Sequence, residues 1–322
     1  MQRIHMHPSH ASLSCMHMVR NESVRNQGIR KTSLTVRINS PGNKENSLSW
    51  YGISPSDNRE IFLTLKARSK IYINNISLPK KTLFFCFVFQ AAIGWLNYED
   101  SYDFKCGGSL ISPRYVLTAA HCSSDPRARQ RDPSIVRLGD QNINPAVQDG
   151  VRIKRIIPHP NYKSPVTYHD IALIELAEDV PFSSSIRPAC LWTRPDFGQY
   201  KKALATGWGI LGIKTSDELQ KVSLTLLTNE NCGQLLQSSE NRNWRGFIAS
   251  QMCAGELRGG KDTCQGDSGS PLQVTSSDNQ CVHNIIGITS FGKQCARSGS
   301  PAIYTRVSSY VSWIESVVWP GE

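Results

Sequence analysis

Gly266-Asp267-Ser268-Gly269-Ser270-Pro271 places a serine between glycines, which let the backbone turn tightly and approach a substrate closely. A serine hydroxyl is a weak nucleophile at neutral pH and needs a base beside it. Upstream lie Thr118-Ala119-Ala120-His121-Cys122 and His169-Asp170-Ile171-Ala172-Leu173-Ile174-Glu175-Leu176, which supply a histidine and an aspartate. Each motif alone has a plainer reading: a packed histidine, a polar residue entering a strand, a surface turn. Their joint presence points to nucleophilic catalysis, with His121 taking the Ser268 proton and Asp170 holding the imidazole in the required tautomer.

The order His121, Asp170, Ser268 resembles the trypsin/chymotrypsin family of serine peptidases and differs from the orders in subtilisin and the α/β-hydrolases. The resemblance covers Ala91 to about Pro320. It implies two six-stranded antiparallel β-barrels, an all-β fold, closed by a C-terminal helix. It also implies an oxyanion hole from the backbone N–H groups of Gly266 and Ser268. Asp262, six positions before the serine, would lie at the bottom of the primary specificity pocket and select Arg or Lys. Ser290 and Gly292 resemble the pocket's edge strand, which would pair with substrate. Ala302 stands where the trypsin pattern has glycine on the pocket wall; its methyl narrows the slot and leaves the Arg/Lys balance open.

The stretches 170–176, Arg187-Pro188-Ala189-Cys190-Leu191-Trp192, 266–273 and Thr289-Ser290-Phe291-Gly292-Lys293 look most like arthropod clip-domain peptidases of the Snake and Persephone type. The six-cysteine clip module itself has no counterpart in residues 1–90, which hold only Cys15 and Cys86. By the same resemblance, Cys106 pairs with Cys122, Cys232 with Cys253, and Cys264 with Cys295. Cys190 would tether a light chain or bridge Cys281. Disulfides imply an oxidising compartment, hence secretion, although no signal peptide is legible. Arg137-Leu138-Gly139-Asp140 opens what looks like the calcium loop of related enzymes, but the later acidic ligands are not placed, so a solvated loop is expected, with no metal and no cofactor.

From Ala91 onward, short apolar runs alternate with turn signals such as Gly107-Gly108, His159-Pro160-Asn161 and Gly207-Trp208-Gly209, as barrels require. Val307, Tyr310, Val311, Ile314, Val317 and Val318 recur on one helical face at the C-terminus. The net charge of +10 is concentrated in residues 1–90, which carry +9, so the catalytic portion is close to neutral. No aromatic-interleaved basic motif argues for nucleic acid, and Leu83 to Phe89 is too short to cross a bilayer.

Residues 1–90 are polar, aperiodic and expected to be a disordered, non-native leader preceding a peptidase domain at 91–322; a genuine basic tail is the competing reading. The run of Leu, Phe, Cys and Val ending in Gln90 is what a pyrimidine-rich intron end would encode. In the family, cleavage before an Ile-Val-Gly-Gly start frees an amino terminus that pairs with the aspartate before the nucleophile, here Asp267. Residues 1–90 hold no such start; counting back from Cys106 puts it near Ile76. The resemblance implies protein substrates cleaved after Arg or Lys in an extracellular cascade, serpin-type inhibitors and an upstream activating protease, with no nucleic-acid or membrane partner. The alternative is a non-catalytic or zymogen-locked homologue acting as a binding cofactor.

Overall fold

The computed structural model describes residues 86–143, 149–211, 214–259, 263, 266–276, 281–292 and 298–321. Residues 1–85, on which most of the leader reading falls, lie outside them. Among the described residues, β-branched and aromatic residues between Gly, Pro and Asn turns form fifteen strands. The first six are β1 (Gln90–Leu96), β2 (Tyr102–Leu110), β3 (Tyr115–Thr118), β4 (Ile135–Leu138), β5 (Val151–Pro158) and β6 (Ala172–Leu176). They close into a barrel in the order β1-β2-β3-β6-β5-β4. Closure comes from β1 pairing antiparallel with both β2 and β4, with a register shift at Ile93/Gly94. Ile93, Leu110, Val116, Ile174 and Leu176 are buried on one face of these strands, and Leu173 is buried on the other.

A short strand β7 (Cys190–Leu191) runs parallel to the later strand His283–Phe291 and carries the chain into the second barrel. Its staves are β8 (Lys202–Gly207), β11 (Gln220–Leu227), β12 (Gln251–Gly255), β13 (Pro271–Thr275), β14 (His283–Phe291) and β15 (Ala302–Arg306), in the order β13-β8-β11-β12-β15-β14. A β13–β14 pairing closes the ring. A small hairpin, β9 (Ile210–Leu211) and β10 (Lys214–Thr215), projects after β8. Leu224, Met252, Leu272, Ile286 and Tyr304 pack inside this barrel. The chain thus has the two six-stranded antiparallel barrels expected from its sequence.

The C-terminal apolar face also forms as expected. Val307–Ser309 make a 3-10 turn, and α2 (Val311–Val318) follows, burying Val311 and Ile314. A helix absent from the strand reading is α1 (Asn229–Leu236), whose signal is local: the Thr228 side chain caps it by accepting the Asn231 N–H at 3.2 Å.

The described structure is continuous across Ala91, which lies one residue inside β1. Phe87 and Phe89 are buried in the core, and the Gln90 amide oxygen accepts the Thr206 hydroxyl at 2.9 Å. Cys106–Cys122 and Cys232–Cys253 are disulfides. The Cys190–Cys281 alternative does not form, because Cys281 is bonded to Cys86; Cys190 is disulfide-bonded elsewhere. Parallel pairing of Cys190 with Asn284 on β14 fixes it in a strand, and Cys281 belongs to the turn leading into that strand. Cys264 and Cys295 lie outside the described residues.

Phe87 and Phe89 pack on the ring of buried His283, with centroids 4.9 and 5.4 Å away. Neither ring nitrogen of His283 has a hydrogen-bond partner among the described residues, and burial pushes its pKa down to about 4. A histidine that titrates lower when folded than when unfolded contributes no penalty above about pH 6.5 and destabilises progressively as pH falls toward 4. Replacing it with Phe is therefore expected to make the chain less acid-sensitive between pH 6.5 and 4, by up to about 3 kcal/mol at the lower end. Denaturant unfolding at several pH values checks this; parallel stability curves for H283F and the unmodified chain would contradict it.

Candidate active site

His121 sits in a one-turn 3-10 helix, Ala120–Ser123, directly after β3. The Cys106–Cys122 bridge ties this turn to β2. Asp170 is buried just before β6, and since β3 and β6 are paired neighbours, the two residues leave the same end of the same ladder. The Asp170 carboxylate accepts twice from His121: Oδ1 from the backbone N–H at 2.9 Å and Oδ2 in contact with Nδ1 at 2.8 Å. The Ser290 hydroxyl donates a short hydrogen bond to Oδ2, and the Thr305 hydroxyl donates to the Asp170 carbonyl at 2.8 Å. Asp170 is 3% exposed and His121 34%, so the imidazole reaches solvent while its partner does not.

Ser268 lies in the loop before β13. Gly266 and Gly269 there have φ of +97° and +77°, which L side chains rarely adopt. A Cβ on Gly269 would fall 2.2 Å from Thr118 Oγ1 and 2.5 Å from the Gly107 carbonyl, so only glycine lets the loop press against β2 and β3. Gly107 N–H donates to the Ser268 carbonyl at 2.8 Å, Gly269 N–H to Thr289 and Ser270 N–H to Asp267. The N–H groups of Gly266 and Ser268 donate to no backbone acceptor among the described residues. Ser268, Gly266 and His121 line one open cavity of about 430 Å³, walled by Trp95, Phe104 and the Cys106–Cys122 bridge.

Asp267 points away from that cavity. Its Oδ1 accepts the Gly209 N–H at 2.8 Å, and a Cβ on either Gly207 or Gly209 would lie within about 2.2 Å of its carboxylate. The remaining pocket residues are partly placed. Ala302 is buried on β15, and its methyl lies 3.8 Å from where a Cβ of Gly292 would stand. Buried Thr263, beside Asp262, contacts the Tyr304 hydroxyl at 3.0 Å. Asp262 itself lies outside the described residues. The backbone at Ser290 was read as part of the pocket's edge strand; its side chain hydrogen-bonds to Asp170, a direction that strand alternation alone does not reveal. Asp140 pairs with the buried Arg137 at 2.7 Å, an internal cation at the start of the calcium-like loop.

A trypsin family model matches residues 89–314. The chain belongs to the trypsin family. It is 44% identical to the serine protease snk of Drosophila melanogaster over 242 residues, which is 72% of this chain and 54% of that protein. The serine protease Hayan of the same organism is 42% identical over 72% of this chain and 37% of its own length. The clotting factor G beta subunit of Tachypleus tridentatus is 37% identical, over 68% of this chain and 73% of that one. The chain thus spans about half or less of the two Drosophila proteins it matches, and the expected kinship with Snake-type arthropod serine proteases holds.

The electrostatics of this trypsin-family site are set by one buried pair. Burial alone disfavours the imidazolium, but the Asp170 charge and hydrogen bond outweigh it and raise the His121 pKa above the ordinary 6.5. Burial likewise opposes the Asp170 carboxylate, yet His121 and then Ser290 hold its pKa below 3.8. The pair's stabilisation is therefore full between about pH 3.8 and 6.5; it fades as pH rises through the raised His121 value and as pH falls from 3.8 through the lowered Asp170 value. Followed by NMR, the His121 ring is expected to titrate above 6.5, and in Asp170→Asn below it, because burial then acts alone. Equal values in the two proteins would show that Asp170 does not govern His121.

Proposed function

We propose that the chain is a secreted serine endopeptidase that hydrolyses peptide bonds after Arg or Lys within an extracellular proteolytic cascade. The observation that carries this reading is the His121–Asp170 hydrogen bond at 2.8 Å facing a cavity that Ser268 shares. Ser268 Oγ attacks the substrate carbonyl carbon as His121 Nε2 takes its proton; the C–N bond then breaks as His121 returns that proton to the leaving amine. Asp170 stays ionised and stabilises the imidazolium between these steps. The oxyanion receives the Gly266 and Ser268 N–H groups, each donor being worth about 3 to 4 kcal/mol. Water repeats the cycle on the acyl-enzyme.

In this reading substrate choice rests on Asp262, whose carboxylate would pair with a cationic side chain, and on Ala302, whose methyl would narrow the slot. Three disulfides among the described residues fit an oxidising compartment, and no described helix is long and apolar enough to cross a membrane. A relative named as a clotting factor subunit fits the cascade setting proposed here; the partners that the family resemblance implies are protein substrates, an upstream activating protease and serpin-type inhibitors.

The test uses a variant with Arg-Ile-Val-Gly-Gly placed at Ile76 and cleaved after that Arg, so that a new amino terminus can reach Asp267. It is expected to hydrolyse Arg- and Lys-terminated chromogenic peptides orders of magnitude faster than the uncleaved 322-residue chain. Asp262→Ser in that background should remove the preference for basic residues; equal cleavage after Phe or Leu before the substitution would refute the pocket assignment. Ser268→Ala should abolish labelling by an organophosphate while leaving the melting temperature nearly unchanged, and labelling retained at another serine would mean a different nucleophile. Because the neutral imidazole is the base, kcat/KM should fall as pH drops through the raised His121 value.

A further inference from the structure

We infer that His169, held by Tyr310, is a positioning residue that sets where the Asp170 carboxylate sits. His169 has φ +56°, in the left-handed region, one of two non-glycine residues with positive φ among those described; the other, Asp100, lies in an exposed turn. For a residue other than glycine, such a conformation costs free energy and persists only where surrounding contacts enforce it. Here they come from distant parts of the chain. The Tyr310 hydroxyl, at the entry to α2, is 2.9 Å from His169 Nδ1. The His159 ring stacks on that of His169 at 5.5 Å and 16°, and is itself wedged edge-on against Tyr310 and Trp313, each at 5.0 Å.

The backbone consequences fall on Asp170. Ile171 N–H donates to the His169 carbonyl at 2.8 Å, closing a three-residue turn centred on Asp170. The next two carbonyls are also engaged, that of Asp170 by the Thr305 hydroxyl and that of Ile171 by the His159 N–H. If His169 relaxed to an extended φ, the Asp170 Cα–Cβ bond would swing, and the carboxylate could no longer meet both His121 donors and Ser290. Burial first, and then the neighbouring His169, keeps His159 below its ordinary pKa, so the stack does not rely on charge on that ring.

This inference rests on the proposed role of Asp170, but its test reads the Asp170–His121 contact and not turnover, so failure of the proposed chemistry and failure of the positioning claim give different results. In the full 322-residue chain, the His121 Nδ1–H resonance and ring pKa are followed by NMR in three variants. His169→Asn tolerates the left-handed conformation and can still meet the Tyr310 hydroxyl; it should leave both readouts unchanged. His169→Val, β-branched and strained at positive φ, should shift the Nδ1–H resonance upfield and lower the His121 pKa by about half a unit or more. Tyr310→Phe removes only the hydroxyl and should do the same to a smaller extent, which decides the matter if His169→Val fails to fold. Unchanged His121 signals in folded His169→Val, or in Tyr310→Phe, would overturn the inference, as would equal effects of Asn and Val.

Discussion

The buried carboxylate of Asp170 is the constraint on which the rest of the structure depends. An ionised group at this depth is tolerated only if its oxygens are occupied by donors, and removing one partner of such a pair typically costs about 3 to 5 kcal/mol. The donors come from segments that are far apart in the chain, His121 after β3 and Ser290 on β14, while Thr305 on β15 holds the Asp170 backbone carbonyl. Satisfying Asp170 therefore fixes the first barrel against the second. It also fixes the imidazole, since the atoms that solvate the carboxylate are the ones that orient the ring.

The serine loop is held by a different device, close backbone approach. Gly269 is pressed on Thr118 and Gly107, and Gly207 and Gly209 flank the Asp267 carboxylate, so there is no room for a side chain at these three glycines. The Gly107 N–H bonded to the Ser268 carbonyl carries this restraint from β2, which the Cys106–Cys122 bridge in turn links to the His121 turn. The histidine and serine thus reach one cavity from loops braced against the same strands. In the same tight turn the N–H groups of Gly266 and Ser268 donate to no backbone acceptor among the described residues.

Much of this was legible in the residues because chemistry demands it. The proposed base, orienting carboxylate and nucleophile call for His, Asp and Ser, and glycine is favoured where φ is positive, so the motifs were readable without a structure. The barrels were readable from short apolar runs between turn residues. What stayed hidden depends on tertiary direction: that the Ser290 side chain turns toward Asp170, that Cys281 meets Cys86, and that His283 packs between Phe87 and Phe89. The left-handed His169 carries no local signal, since histidine there is enforced by Tyr310 and His159. Helix α1 was missed although Thr228 marks its start, because it buries only Cys232 and Leu236, too few apolar positions for a clear period.

The central claim is that Ser268, His121 and the Gly266–Ser268 amides converge on one reacting atom. A crystal structure of the activated chain after reaction with a phosphonofluoridate tests it most directly, because the adduct mimics the tetrahedral intermediate. The account predicts phosphorus bonded to Ser268 Oγ, with its oxygen about 3 Å from both amide nitrogens and His121 Nε2 turned toward the adduct. Phosphorus on another side chain, or an adduct on Ser268 whose oxygen faces solvent away from Gly266, would contradict it.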